Sequence, residues 1–377
     1  MGNCKIEIHF FNGHQISSTP RSSQLNNFFD LTSSRTNEKE KEMRNNFNKK
    51  LPELGKILHI RDYEQLIKDD ILNYISQNKL NYKEYLPKDL ITYKSFPIQF
   101  KNNNVYYGNW NEKNEMEGYG IYYINEQKVV TEGVWIGGNI IFGRIFFQNG
   151  DIFEGEINNS LPHGKGKIIY QSGESYEGDF DTGEMTGIGT YVFFDKTKYN
   201  GGIKNGIFNG EGQIKWIYGI EYHGNFVDSS LCGQGKIFNK QGEEYFGNFD
   251  KNEFNGEGKY TFNNGDIYEG TFEYGIKKGK GIYIRIDKIK FEGIWNNDLP
   301  NGNGFIYYKK NKYKGFWRNG KLIGNIENIS GNIDKINDID LDIRPVKANI
   351  CPSSLPHLSS NENDFSKYIQ NSETNFN

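Results

Sequence analysis

Residues 268–272 read Tyr268, Glu269, Gly270, Thr271, Phe272, with a ring or a glycine at every second place and a polar residue between. Alternate side chains of an extended strand share a face. Tyr268, Gly270 and Phe272 therefore point one way, Glu269 and Thr271 the other. A second alternating run puts Gly279, Gly281 and Tyr283 on one face and Lys280 and Ile282 opposite. Turn-forming residues separate such runs. Asn149-Gly150-Asp151 and Asn264-Gly265-Asp266 suit the positive φ of a type I′ turn, and Ser172-Gly173 and Gln241-Gly242 fill the same slot. Each unit predicts a β-hairpin.

The leading aromatic recurs at Tyr176, Tyr199, Tyr222, Tyr245 and Tyr268, always 23 residues apart. A fixed period of this size marks a repeat array. Leading aromatics at Tyr106, Phe153, Phe291 and Tyr313, and a degenerate copy at Thr131 ahead of Gly133 and Trp135, extend it over residues 100–325, roughly ten units. Hairpins pairing edge to edge predict an all-β fold, an elongated single-layer antiparallel sheet.

Glycine weakens a strand interior, so its recurrence between rings needs a reason. Lacking a Cβ, Gly178, Gly201, Gly224, Gly247, Gly270, Gly293 and Gly315 each leave a slot for a neighbouring ring. The leading rings of these units, with Phe272, Trp295 and Trp317 behind them, are expected to stack along one face, worth ~1 kcal/mol per pair beyond area. Such a face needs a cover, because large exposed apolar patches mark interaction sites. The N-terminal helix, a second copy in a homodimer, or a partner would supply one.

The flanks read differently. Residues 12–50 are polar, and the segment 1–50 is expected to be a disordered tether. Gly2 and Cys4 stand where a myristoyl and a second, thioester-linked chain would attach, and two chains anchor stably where one does not. Ile6 departs from the Ser or Thr preferred there. In the segment 51–99, Tyr63, Leu66, Ile67, Ile71, Tyr74 and Ile75 share one helical face, with Asp62 as N-cap and Gln65 completing a capping box. Isoleucines at 323, 326, 329, 333, 336 and 339 predict a helical face that caps the array over residues 326–343. Residues 344–377 predict a disordered tail.

Composition adds limits. Of 377 residues 44 are glycine, 35% are hydrophobic and 15% aromatic, which suits a thin structure better than a deep core. Net charge of −3 gives no whole-chain argument for nucleic acid. The three cysteines, Cys4, Cys232 and Cys351, have no metal spacing and suit a reducing compartment. The six histidines form no triad or metal set with them, so neither catalysis nor a cofactor is expected. Lys277, Lys278, Lys280, Lys309, Lys310, Lys312, Lys314 and Arg318 crowd the last units. They read as a solvated face, or as a patch for an anionic membrane surface or acidic partner.

The Tyr-x-Gly-x-Phe/Trp opening, the Gly-x-Gly second half and the period resemble the MORN repeat (membrane occupation and recognition nexus). Tyr176-Glu177-Gly178-Asp179-Phe180 and Leu161-Pro162-His163-Gly164-Lys165-Gly166 match closely. The resemblance implies a non-enzymatic scaffold for protein partners at the cytoplasmic face of a membrane, the cell cortex or the cytoskeleton. The alternative is a phosphoinositide-binding module acting through the basic last units. Some MORN arrays carry lipid-kinase or methyltransferase domains, and nothing outside this array is patterned as one.

Overall fold

The computed structural model describes residues 55–330 apart from 59, 89, 91, 95 and 96, with isolated positions at 42, 45, 46, 49, 50, 343 and 350. The expectations for Gly2 and Cys4, for residues 1–41, for the cap over 331–342 and for the tail beyond 350 lie outside the described residues. The chain divides into two compact units, Met1–Phe146 and Phe147–Asn377.

In the first unit β1 (Gly55–Ile57) precedes α1 (Ile60–Leu66) and α2 (Asp69–Gln77), then a 3-10 turn at Lys83–Tyr85. There follow β2 (Tyr93–Lys94), β3 (Ile98–Phe100), β4 (Val105–Trp110), β5 (Met116–Ile124), β6 (Val129–Ile136) and β7 (Asn139–Phe146). β3 to β7 are antiparallel neighbours in chain order, with β1 on β3 and β2 on β4. The expected single helix is two, because the backbone turns extended at Lys68 (φ −59, ψ 141). Asp62 lies in the first turn of α1 rather than at its cap. Of the expected face Tyr63, Ile67 and Ile75 are buried and Ile71 and Tyr74 half-buried, whereas Leu66 is exposed and Leu72, outside that face, is buried.

These helices cover the face opposite the leading rings. Tyr63 meets Tyr107, Tyr74 meets Phe146, and Tyr82 and Tyr85 stack on Tyr119 and Phe142. Tyr107 alternates with Tyr106 and Gly108, so it belongs to the outer face, taken here as the face away from the leading rings. The expected cover for the ring face is thus a cover for the outer one. Its cause is local: outer positions that are mostly polar in the second unit are here Tyr107, Ile121, Val134 and Phe142.

The second unit begins with β8 (Ile152–Asn158), β9 (Leu161–Ile169), β10 (Ser175–Asp181), β11 (Glu184–Val192), β12 (Lys198–Lys204) and β13 (Ile207–Lys215). It continues with β14 (Glu221–Val227), β15 (Ser230–Phe238), β16 (Glu244–Asp250), β17 (Glu253–Thr261) and β18 (Ile267–Glu273). β19 (Ile276–Ile284), β20 (Lys290–Asn296), β21 (Leu299–Tyr308), β22 (Asn311–Arg318) and β23 (Lys321–Asn328) complete it. All pair antiparallel in sequence order. β23 replaces the helix expected to begin near Ile323: β22 offers it a ladder, and branched isoleucines suit a strand. Buried Ile350, whose N–H donates to Tyr260 Oη at 3.4 Å, brings one position of the expected tail onto this unit.

One glycine from every strand of β8 to β22 meets the next across each ladder, from Gly155↔Gly166 to Gly304↔Gly315. Tyr176, Tyr199, Tyr222, Tyr245 and Tyr268 each lie over two of them, whereas Gly315 meets Trp317 and Leu322. A Cβ at Gly281 would stand 2.5 Å from Tyr268 Oη, and one at Gly270 would stand 2.6 Å from Gly281 Cα. The slot is therefore filled by the strand's own ring and not, as expected, by a neighbour's.

Beyond the glycine pair the hairpin register breaks. Gly270 pairs Gly281, but Phe272 pairs Lys277, so β19 carries extra residues. Gly279 sits in that break at φ +81, as do Gly187, Gly210, Gly233 and Gly256 at positive φ in theirs. The two glycines of Gly-x-Gly thus do different jobs, one making the bulge and one the ring's bed, and simple alternation of Gly279 with Gly281 does not hold. The bulge also takes the Thr271 carbonyl out of the ladder. Tyr268 Oη donates to it at 3.1 Å, and Tyr176, Tyr199, Tyr222 and Tyr245 do the same three residues on, at 2.7–3.0 Å. The ring then packs edge-on between Phe272 of its own strand and Trp295 of the next unit, at 5.1 and 5.0 Å.

Gly270→Val is therefore expected to lower stability by about 1–3 kcal/mol despite the strand preference of valine. Gly275→Asn, at a φ +75 turn position with nothing within 4 Å, is expected to be near neutral, since Asn252 and Asp298 fill the equivalent places. Thermal denaturation followed by circular dichroism compares the two.

Candidate functional site

The predicted packing residues come together. Tyr176, Tyr199, Tyr222, Tyr245, Tyr268 and Trp317 are fully buried, and Phe291, Tyr313, Phe272 and Trp295 are nearly so. Burial pushes the phenols of these five tyrosines well above the ordinary tyrosine value. What the ring face spends on packing, the outer face leaves for other uses.

Two kinds of turn tie the hairpins of the second unit together. At each two-residue turn the second residue reaches back to the preceding unit: Ser229 N–H donates to Phe208 O, Asn252 to Leu231, Gly275 to Phe254 and Asp298 to Lys277. At the wider turns a buried carboxylate does the tying. Asp266 accepts from Ile286 N–H at 2.8 Å and from the Tyr283 hydroxyl, and Glu243 accepts from Tyr260 Oη at 3.2 Å. The acid and its tyrosine stand 17 residues apart in both pairs. Where that position holds Ile289, its counterpart is Ile306.

The predicted cations do not form one patch. Lys280, Lys312, Lys314 and Arg318 lie on the outer face, while Lys309 and Lys310 lie in the turn before β22. Lys278 is ion-paired with Glu273. Lys277 is not a surface cation at all. It is 5% exposed, in the same repeat position as Met185, Phe208, Leu231 and Phe254. Its ammonium lies over the Phe262 and Tyr268 rings at 5.2 and 5.6 Å and donates to Asp298 Oδ1 at 3.3 Å. Burial holds its pKa below the ordinary lysine value, against the pull of Asp298. Aligning the units at their period exposes this lysine in an apolar column.

The outer face carries cross-strand pairs: Lys165 with Asp179, Lys167 with Glu177, Lys215 with Glu221 and Lys236 with Glu244. Such exposed pairs contribute ~0–1 kcal/mol each, so they decide which surfaces approach more than how stable the sheet is. Ile188 and Phe246 interrupt these rows, and from β19 onward apolar residues become frequent, with Ile282, Ile294, Phe305, Tyr307 and Phe316 among the cations. Partial burial works against ionisation of Glu292. Hydrogen bonds from Lys290 and Tyr307, with Lys312 nearby, nonetheless bring it below the ordinary glutamate value.

In the first unit the outer face is closed by a polar tie under the helices. Tyr119 Oη donates to Glu132 Oε1 at 2.6 Å, Arg144 lies 3.4 Å from the other Glu132 oxygen, and Arg144 also donates to the Asn78 carbonyl after α2. Glu132 and Arg144 are 1% and 4% exposed, so the pair survives burial through these extra hydrogen bonds. Sequence reasoning missed this site, although Tyr107, Tyr119 and Phe142 at outer positions carried the signal. Among the described residues no group of three or more His, Cys, Asp or Glu is placed to hold a metal.

The MORN repeat family matches residues 153–175, 176–198, 199–217, 245–267, 268–288 and 291–311. No curated protein matches. Among solved structures, the TCP10 domain of Danio rerio CPAP in complex with a STIL peptide is similar at 11% identity, covering 55% of this chain and 93% of that one, with TM-score 0.22. The SAS-4 TCP domain of Drosophila melanogaster, in complex with a proline-rich motif of Ana2, gives 10% identity, 64% and 92% coverage and TM-score 0.14. A virginiamycin B lyase from Staphylococcus aureus gives 11%, 64%, 86% and 0.12. At these TM-scores none bears on function.

Two outcomes are expected from the buried polar groups. Asp266→Ala leaves both Tyr283 Oη and Ile286 N–H without their acceptor and costs about 2–3 kcal/mol. Tyr283→Phe removes only a donor and costs ~1 kcal/mol, and the double variant loses less than the sum. Lys277→Met is expected to be neutral or stabilising, because a buried pair gives way to an apolar side chain and Asp298 is about half exposed. A depressed lysine pKa means the unfolded chain binds more protons, so wild-type stability rises with pH below the ordinary lysine value. The advantage of Lys277→Met should shrink on that approach, as urea unfolding at successive pH values will show.

Proposed function

Because this chain carries MORN repeats across residues 153–311, we propose that it is a non-enzymatic scaffold organising protein partners at a membrane-associated or cytoskeletal structure. MORN repeats occur in membrane- and cytoskeleton-associated proteins, and the family is one of repeats rather than of enzymes. The observation that carries the reading is the division of labour between the faces. The leading rings and the glycines paired beneath them are used in packing on one face, while the other changes from charged pairs with single apolar residues, Ile188 and Phe246, in β9–β16 to a surface richer in apolar residues and cations in β19–β22. A regular frame with a changing surface suits recognition of different partners at different places along one chain.

In this reading Gly2 and Cys4 supply a lipid tether, and the repeats face partners at the cytoplasmic side of the membrane. A direct phosphoinositide site has support from Lys309 and Lys310, exposed together beside Lys312. Against it, Lys277 is withdrawn into the core and Glu269, Glu292 and Glu327 interleave with the outer cations.

Native co-purification of the tagged full-length protein from detergent-solubilised cells is expected to recover stoichiometric protein partners. Recovery of none, with sedimentation on phosphoinositide vesicles that is lost in the K309E/K310E/K312E variant, would replace the scaffold by the lipid module. Gly2→Ala is expected to shift the protein from the membrane to the soluble fraction, and an unchanged distribution would refute the tether.

A further inference from the structure

We propose that the outer face of β19–β22 is a docking site for an acidic amphipathic helix of a partner protein. The proposal rests on the scaffold reading and adds the face and the chemistry of the partner. Through the ladders, Ile282 stands beside Glu292, Glu292 beside Phe305, and Phe305 beside Lys314. Tyr307 stands beside Lys312, and Lys280 beside Ile294. Ile294 and Phe316 are 40% and 41% exposed. The fold does not require apolar residues here, since the row of Ile282 and Phe305 is filled by Lys167, Thr190 and Gln213 in earlier units.

The first unit shows what such a row takes. Ile282 and Phe305 hold the register of Ile121, which pairs Tyr107 on one side and Glu132 on the other. That row lies beneath the chain's own helical segment, with Tyr63 on Tyr107. Four strands at ~4.8 Å spacing span ~14 Å, close to the ~10–12 Å width of a helix with its side chains. Charge fixes the kind of helix. Lys280 lies on β19 and Lys312 and Lys314 on β22, so cations flank the central Ile294, Phe305 and Tyr307 on both sides. Lys312 Nζ lies 4.1 Å from the Phe305 ring, set to present charge and ring together. A helix with one apolar stripe and carboxylates along both flanks matches this layout. Glu292, in the centre of the patch, is ion-paired with Lys290 at 3.3 Å.

The test is a selection of helical peptides from a random phage-displayed library on the folded full-length chain, followed by fluorescence anisotropy of the enriched peptides. Enriched sequences are expected to place apolar residues at i, i+3 or i+4 and i+7, with Asp or Glu beside them. Their affinity should fall about tenfold or more, some 1.4 kcal/mol, in both F305E and K312E/K314E, and stay within about twofold in K309E/K310E. Circular dichroism confirms that the variants are folded. No enrichment, enrichment of basic peptides, or affinity unchanged in the outer-face variants would overturn the proposal. Sedimentation on phosphatidylserine vesicles that F305E and K312E/K314E abolish, without acidic peptides, would assign the face to a membrane instead. If cellular partners still co-purify with those variants, the scaffold reading stands and only this site falls.

Discussion

A tyrosine ring lying across two paired glycines, its hydroxyl on the carbonyl that a bulge has released, is the contact on which the second unit depends. It solves two problems together. The ring needs a bed without a Cβ on either strand, and the bulge leaves a polar group that cannot stay unpaired when buried. Tyr268, Gly270, Gly281 and the Thr271 carbonyl answer both. Because the Gly281 of one hairpin also pairs Gly293 of the next, each contact constrains its neighbour. Phe291, which has no hydroxyl, keeps the bed without the hydrogen bond, so the ring's fit is the more general part of the device.

This constraint explains why the outer face is free to vary. The ring face is closed by rings, glycines and buried aliphatic partners such as Ile168, Ile214 and Ile237, whereas the outer positions between them are more exposed. Helices close that face in the first unit through Glu132, Arg144 and stacked tyrosines. In the second unit the same positions are charged pairs and then a mixed strip. Lys277 shows the opposite case, a charge admitted to the packed side because the next turn supplies Asp298 and two rings supply their faces.

The repeat, its hairpins and its packing residues were legible because a fixed period of 23 leaves little freedom in register. What was not legible was the bulge at Gly279 and the burial of Lys277. The bulge takes up two extra residues, so Lys277 keeps the face of Gly281 and Tyr283 and lies on the packed side despite its charge. Both signals lay in the columns of the repeat, where Lys277 replaces an apolar residue. Over Ile323 and Ile326 the expected helical face gives way to a strand for another reason: a spacing of three fits a helix, but pairing with β22 outweighs so weak a local preference. The outer cover of the first unit was written in Tyr107, Tyr119 and Phe142, aromatic where the array is usually polar.

Spectrophotometric titration of the tyrosines, read beside the sheet's circular dichroism, tests the central contact most directly. Burial raises the phenol pKa of Tyr176, Tyr199, Tyr222, Tyr245 and Tyr268 above the ordinary 10.0. A group so raised contributes stability that is intact below the ordinary tyrosine value and lost as pH climbs toward the folded one. The account predicts that part of the phenolate absorbance is withheld until the circular dichroism of the sheet collapses, the two changes coinciding at strongly alkaline pH. Ionisation of all tyrosines in one step near pH 10, with the sheet signal intact, would contradict it.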